Sequence, residues 1–509
     1  MACDPGLQAE LFDQELRLGL LLHILLRTCA LLPWFFLQHL NVKPERFGFQ
    51  RMGFTWLLSV AEQTGNLAST ASGTILPRGF FLVTGLLYML ALGLHRLASR
   101  LAIPTALPIL GLVLIVNWLH HGLLAVTHGQ VETLHTTSLA LLLFYAGLNT
   151  DLNRIRGRFS LALALATIGI VISGLLLGLL LWALATVGLP SLPRAGLAAP
   201  LPVGVAMLTA TCLLPTDVSA NEELAHQWGH HAPKNVLPVL DFESALGSAT
   251  AILGFGLVVR IFLAFQHGGH GDFHLGALQE VPESLLLLIA RLLAGLGGGL
   301  LVGLIANRLI PLLVSRAEHL LILAISVAFV AYAMGNIIGG GGLISVYTAG
   351  LVLANRPQAR GPFGHAGLRQ VLLPFNTTAE FTMLLLLGLL VHPEVMVRML
   401  PLGVVLGLLL DLVVRPLVVL LLGGAPRGQR LERLLVATGG LRGAVPLALA
   451  LALLEQVPRL RDVHPLEATD LALEMEALVA VAVITSLVLK GVVLPRLLQR
   501  YASPRSTPA

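Results

Sequence analysis

The sequence predicts an all-α, polytopic membrane fold of about thirteen transmembrane helices with inverted repeats. Three observations predict it: a shortage of charge, apolar runs that recur along the whole chain, and basic loops on alternate connections. Of the 509 residues, 56% are hydrophobic and 12% charged. A soluble domain carries about 25% charged residues. A mean hydropathy of +0.85 points the same way. Read as soluble, this length would make roughly three or four domains, and there are too few charges to cover their surfaces. A soluble enzyme, a disordered chain, a collagen-like fibre and a disulfide scaffold are excluded.

The net charge of +5 and pI of about 9.4 are read as basic anchors on cytoplasmic loops, so no nucleic acid is expected as a partner. Cys3, Cys29 and Cys212 are scattered and give neither metal spacing nor a disulfide framework. No cofactor and no resident metal are expected.

The N-terminal extension comes first, at residues 1–75. Asp4, Glu10, Asp13 and Glu15 argue against a secretory signal, which needs a basic start and a clean apolar core. Residues 18–40 are apolar but hold His23, Arg27 and Pro33, and read as an extra membrane helix or an interfacial helix. Residues 41–75 read as a linker. The transmembrane domain is placed at 76–499 and a short cytoplasmic tail at 500–509. Spans are expected near 76–95, 101–119, 132–150, 159–187, 199–220, 236–265, 283–314, 319–335, 338–355, 371–391, 399–422, 433–455 and 474–498. A crossing needs about 20 apolar residues.

Orientation follows from the short loops. Arg154, Arg156 and Arg158, then Lys234, Arg316, Arg356, Arg360, Arg369, Arg427, Arg430 and Arg433 fall on alternate connections. The opposite loops at 119–131 and 266–281 contain no Lys or Arg, although Arg194, Arg459 and Arg461 lie on that face. The positive-inside rule puts the arginine-rich loops and the C-terminus in the cytoplasm.

Two spans are interrupted. Pro215-Thr216-Asp217 breaks span five, and Gly439, Gly440, Gly443 and Pro446 break span twelve around Arg442. Proline removes an amide donor, and irregular backbone survives at membrane depth only where protein or water surrounds it. One interrupted segment in each half points to a secondary transporter with inverted repeats. Spans four to six and eleven to thirteen form the expected repeat pair. An odd number of spans separates the breaks, so they run in opposite directions. Capping by Asp217 and close packing by the span-twelve glycines are the purely structural alternatives. The Gly-rich stretch 295–303 reads as a packing seam and Gly339–Gly342 as a tight turn.

Span six brings Asp241, Glu243, Ser244, Ser248 and Thr250 into the membrane. Ser244 and Ser248 share a helix face. Glu243 needs a counter-charge, and Arg442 is the expected partner in a structural ion pair. Asp411 and Arg415, four apart in span eleven, read as an intrahelical pair. Lys490 reads as snorkelling to the cytoplasmic side. The loop histidines His226, His230 and His231, and His267, His270 and His274, read as solvated polar loops. The first group is the better pH-sensor candidate.

Several stretches resemble the NhaP-type monovalent cation/proton antiporters, the family that includes animal sodium/proton exchangers. They are FYAGLNTDL at 144–152, PTD at 215–217, FES at 242–244, GGLISVYTAGLVLAN at 341–355, GGLRGAVPLALAL at 439–451 and LVLKGVVLPRLL at 487–498. The resemblance implies alternating access, a six-helix core domain, a dimerisation domain and a homodimer. It further implies that a monovalent cation, sodium by expectation, and a proton compete for one site. That site would comprise Asp217, Thr216, Ser244 and Ser248, with Glu243 and Arg442 as the ion pair of the core. The expected location is a multi-pass position in a bacterial cell membrane, and no enzymatic chemistry is expected.

The departures from the family pattern thin the acidic site. Members typically read FESxxND, and here FESALGS puts Gly247 for the asparagine and Ser248 for the ion-binding aspartate. Tyr145-Ala146 occupy the stretch where span three usually carries an acid, and Val218 replaces the proline after TD. Serine offers an oxygen but titrates nowhere near neutral pH, as a carboxylate can. Antiport with Asp217 as sole titrating ligand is the leading expectation. A changed substrate (an anion or proton-coupled solute) and a non-transporting sensor or partner subunit are the alternatives.

Overall fold

The structure, a computed structural model, describes residues 76–101, 103–119, 128–155, 157–187, 201–218, 221, 236–266, 275–355, 365–423, 435–459 and 465–493. The N-terminal extension, both loop-histidine groups and the tail lie outside the described residues. Every regular element among the described residues is helical.

The chain divides into two compact units. One comprises Met1–Leu97 and Ile115–Val126, and its described part is helical. The other comprises Ala98–Leu114 and Thr127–Ala509 and holds the site. In chain order the helices are α1 (Leu76–Leu101), α2 (Ala106–Leu119) and α3 (His128–Asn149). Helix α4 runs from Phe159–Ala164 through a π turn at Leu165–Gly169 into Ile170–Val187. Then come α5 (Val203–Cys212), α6 (Val236–Gln266), α7 (Leu275–Leu313), α8 (Ala317–Ile337), α9 (Gly342–Asn355) and α10 (His365–Leu390). Helix α11 joins Pro393–Leu409 to Arg415–Leu422 through a second π turn at Leu410–Val414. Helix α12 is Ala444–Gln456, and α13 runs from Pro465–Val488 into a third π turn at Leu489–Val493.

Among the described residues, 6 helices are long and apolar enough to cross a membrane: Phe159–Thr186, Val236–Leu263, Ile289–Leu313, Glu318–Ile337, Pro393–Leu422 and Glu467–Val493. Others are short for a local reason. Helix α5 stops at Cys212 because the chain extends over Leu214–Asp217 ahead of and through the Pro-Thr-Asp triplet. Helix α9 starts only at Gly342, because Gly339 turns with φ of 78° and Asn336 Oδ1 accepts from Gly342 N–H at 3.0 Å.

Packing in one part of the second unit depends on missing side chains. On α7, Gly295, Gly299 and Gly303 lie directly against Gly341, Ser345, Ala349 and Val352, so a Cβ there would overlap α9 or the turn before it. Gly147 and Gly350 bring α3 and α9 into backbone contact. Small residues of this kind let membrane helices approach closely, and the 295–303 stretch is the packing seam the sequence suggested. A buried apolar cluster including Phe144, Leu148, Ala324, Ala328, Val346 and Leu372 fills the space between α3, α8, α9 and α10.

The remaining part pairs α4–α6 with α11–α13. The first helix of each triplet carries a π turn and the second is broken. A π turn adds a residue to one turn of helix and recurs at functional sites. Gly169 in the first π turn faces Val418 and Leu422 of α11, with room for a Cβ in ordinary contact with both.

Candidate ion site at the crossing of two broken helices

Each break leaves backbone groups without helical partners, and the two breaks satisfy one another. Asp217 N–H donates to the Leu441 carbonyl at 2.8 Å. Arg442 Nε donates to the Leu213 carbonyl at the C-terminal end of α5, at 2.7 Å. The one-turn helix Leu435–Thr438 ends in the carbonyls of Gly439 and Gly440, which accept from Lys490 Nζ at 3.0 and 3.1 Å. Cations thus face the carbonyl ends, where the helix dipole is negative.

Two glycines of the second break bear directly on the site. Gly440 has φ of 72°, a left-handed conformation that costs an L-residue about 1–2 kcal/mol. Gly443 lies so close to the Asp217 carboxylate that a Cβ would overlap Oδ2. The space it vacates lets that carboxylate reach Ala444 N–H at 3.3 Å. Asp217 therefore sits at the N-terminus of α12, where exposed amides and the dipole favour negative charge.

Four neutral side chains, Thr216, Ser244, Ser248 and Asn221, hydrogen-bond to one another and to nearby backbone beside the first break. Thr216 hydroxyl donates to Ser244 Oγ at 2.7 Å. Ser248 hydroxyl donates to the Thr216 carbonyl at 2.9 Å. Asn221 Nδ2 donates to Ser244 Oγ at 2.6 Å and to the Leu240 carbonyl at 3.4 Å. Asn221 Oδ1 accepts from Leu441 N–H at 3.2 Å. Thr216, Asp217, Asn221, Ser244 and Ser248 are all buried. The structure thus brings Thr216, Ser244 and Ser248 together as the sequence suggested, with Pro215 in the extended stretch beside them.

The expected ion pair is corrected. Glu243 does not pair with Arg442; both its oxygens are held by Arg415, with Nη1 to Oε1 and Nη2 to Oε2, the latter at 2.7 Å. Arg442 instead pairs with Asp411 and donates to Ser486 Oγ at 3.1 Å. The intrahelical Asp411–Arg415 pair is corrected with it. Each side chain reaches across to a different element: Arg415 to Glu243 on α6, and Asp411 to Arg442 ahead of α12 and Lys490 on α13. Lys490 does not snorkel either: it is 2% exposed and lies 3.0 Å from Asp411 Oδ1. The core is held by Glu243–Arg415 and by Asp411 between Arg442 and Lys490.

Sequence reasoning did not single out Asn221, although it stands four residues after Asp217 and so falls on the same helix face. Ser486 carries no signal either, standing beside Thr485 in an otherwise apolar stretch of the span.

Two broken helices that cross and satisfy each other, set in paired triplets, define the class of fold that secondary transporters build from inverted repeats. The chain belongs to the sodium/hydrogen exchanger family, whose transmembrane model matches residues 79–500. Among curated relatives it is 29% identical over 375 residues to the K(+)/H(+) antiporter NhaP2 of Shewanella sp. (strain MR-4), covering 73% of this chain and 60% of the relative. It is 26% identical over 383 residues to the K(+)/H(+) antiporter NhaP of Alkalimonas amylolytica, covering 73% and 59%. It is 25% identical over 324 residues to the Na(+)/H(+) antiporter NhaS2 of Synechocystis, covering 61% and 53%. The matched region thus spans about 60% of the length of the first of these relatives. The fold is similar to that of the sodium proton antiporter MjNhaP1 from Methanocaldococcus jannaschii, with a TM-score of 0.61 at 18% identity, over 80% of this chain and 97% of that one.

Proposed function

We propose that this chain is a secondary transporter that exchanges a monovalent cation for protons by alternating access. One observation carries the reading: the Asp217 carboxylate is held at the N-terminus of α12 by the Ala444 amide. The acids of the two buried ion pairs of the core are Glu243 and Asp411. A carboxylate in that position can hold a proton or a cation but not both. Exchange follows from that competition, and one proton for one monovalent cation moves no net charge.

The neutral oxygens of Thr216, Ser244 and Ser248 supply the remaining coordination, which a cation needs after losing its water. They cannot carry a proton in exchange, so coupling rests on Asp217. Arg415 and Arg442 hold the crossing backbones through Glu243, Asp411 and Leu213 and act on geometry rather than on the ion.

Sodium and potassium are the two candidate cations. The sequence expectation is sodium, while relatives in Shewanella and Alkalimonas are named for potassium. A homodimer in a bacterial cell membrane with its C-terminus in the cytoplasm completes the reading, from the family resemblance and the loop charges.

The test is cation-induced proton movement in proteoliposomes with an acid-inside gradient. Sodium, potassium or lithium is added to wild type and to Asp217→Asn. Dissipation by wild type and silence of the variant are expected. Equal activity in both proteins removes Asp217 as carrier, and silence in both over a broad pH range overturns the reading.

A further inference from the structure

We propose that the Asn221 carboxamide occupies the cation's place at Ser244, so that Asn221 sets how tightly a cation binds. The inference rests on the exchange reading and adds a residue to it.

Lone pairs limit what Ser244 can hold. A serine oxygen has two. Ser244 Oγ accepts from the Thr216 hydroxyl at 2.7 Å and from Asn221 Nδ2 at 2.6 Å, so both are taken. A cation that uses Ser244 must displace one donor. The Thr216 hydroxyl turns about one bond and then offers its own lone pairs to the ion. The amide cannot do this. Its orientation is fixed from the other end, because Oδ1 faces Leu441 N–H, a group that can only donate. Nδ2 must therefore face Ser244, and it also points at the Leu240 carbonyl. The N–H group sits where a cation would, with the same sign of charge, against the same oxygens.

Displacement has a second consequence. Asn221 is 1% exposed, and when its amide leaves Ser244 its hold on Leu441 N–H loosens as well. The Leu441 carbonyl is the group that holds Asp217 N–H at 2.8 Å. Cation arrival on α6 is thereby transmitted through one side chain to the break before α12, beside the carboxylate that takes the proton. Asn221 is a positioning residue in this scheme: it acts through Ser244 and Leu441 and touches neither proton nor substrate.

Two substitutions test it. Asn221→Asp keeps an acceptor for Leu441 N–H, removes the donor to Ser244 and adds a charge. Asn221→Ala removes both ends and controls for the scaffold. The readouts are the half-saturating concentration of sodium and of potassium for exchange in proteoliposomes, and for thermal stabilisation of the purified protein. Asn221→Asp is expected to lower half-saturation about tenfold or more, from the hydrogen bond no longer displaced together with the added negative charge. Its maximal rate should not rise in parallel, and Asn221→Ala should lower half-saturation by a smaller factor. Half-saturation that is unchanged or raised in both variants overturns the proposal, as does the absence of cation-dependent stabilisation in all three proteins. If stabilisation tightens in Asn221→Asp while no protein exchanges, the proposal stands and the exchange reading fails.

Discussion

The pairing of Glu243 with Arg415 rather than Arg442 can be tested by a double-mutant cycle. Glu243 and Arg415 side chains are 2% and 10% exposed, and the guanidinium grips both carboxylate oxygens. Removing one partner of a buried pair leaves the other charge unmatched and costs about 3–5 kcal/mol. Glu243→Gln leaves Arg415 with a 3.4 Å contact to the Val436 carbonyl, too long to replace the carboxylate. Arg415→Gln strands Glu243 in the same way. The double variant strands neither, so its loss should be well below the sum, with a coupling of roughly 1–3 kcal/mol. Glu243→Gln combined with Arg442→Gln should instead be nearly additive, because Arg442 is bound to Asp411, Ser486 and Leu213. The assay is the thermal unfolding midpoint of the purified protein in one detergent at one scan rate, since unfolding of such proteins is a rate as much as an equilibrium. Strong coupling of Glu243 to Arg442, with additivity toward Arg415, would refute the assignment.

Two more substitutions follow from the same geometry. Gly443→Ala puts a methyl group onto the Asp217 carboxylate; displacing the carboxylate from Ala444 N–H and crowding the break should cost about 2–4 kcal/mol together. The half-saturating cation concentration should rise as well, and an unchanged titration with an unchanged midpoint would show that the carboxylate does not depend on that gap. Glu476 on α13 is 1% exposed, and its Oε1 has no hydrogen-bond partner among the described residues. Glu476→Leu should therefore stabilise the protein, by on the order of 1–3 kcal/mol, and a lowered unfolding midpoint would show that the acid is needed where it is.

Some of this could be read from the chain. The Pro215–Asp217 and Gly439–Gly443 breaks are legible because proline and clustered glycine stop an apolar helix wherever they occur. Thr216, Ser244 and Ser248 are legible for a similar reason: they are polar groups in hydrocarbon, and their spacing fixes a common face. What a sequence does not display is which of several buried charges meets which. Glu243 had two arginines within plausible reach, and it meets Arg415 rather than Arg442. The crossing of the two breaks puts Arg442 beside Asp411 instead, an approach that spacing along the chain does not display.

The same limit hid Asn221. Its neighbours on the chain, Ser219, Ala220, Glu222 and Glu223, make it look like the start of a polar loop. Only the tertiary approach of Leu441 turns it into a bridge. From the α5 side the Asn221 carboxamide ties α6 to the second break. An amide that ties two backbones must use its N–H group as well as its oxygen. Here that N–H group is aimed at Ser244, so in the proposed scheme the residue that holds the crossing together is also the one a cation has to move.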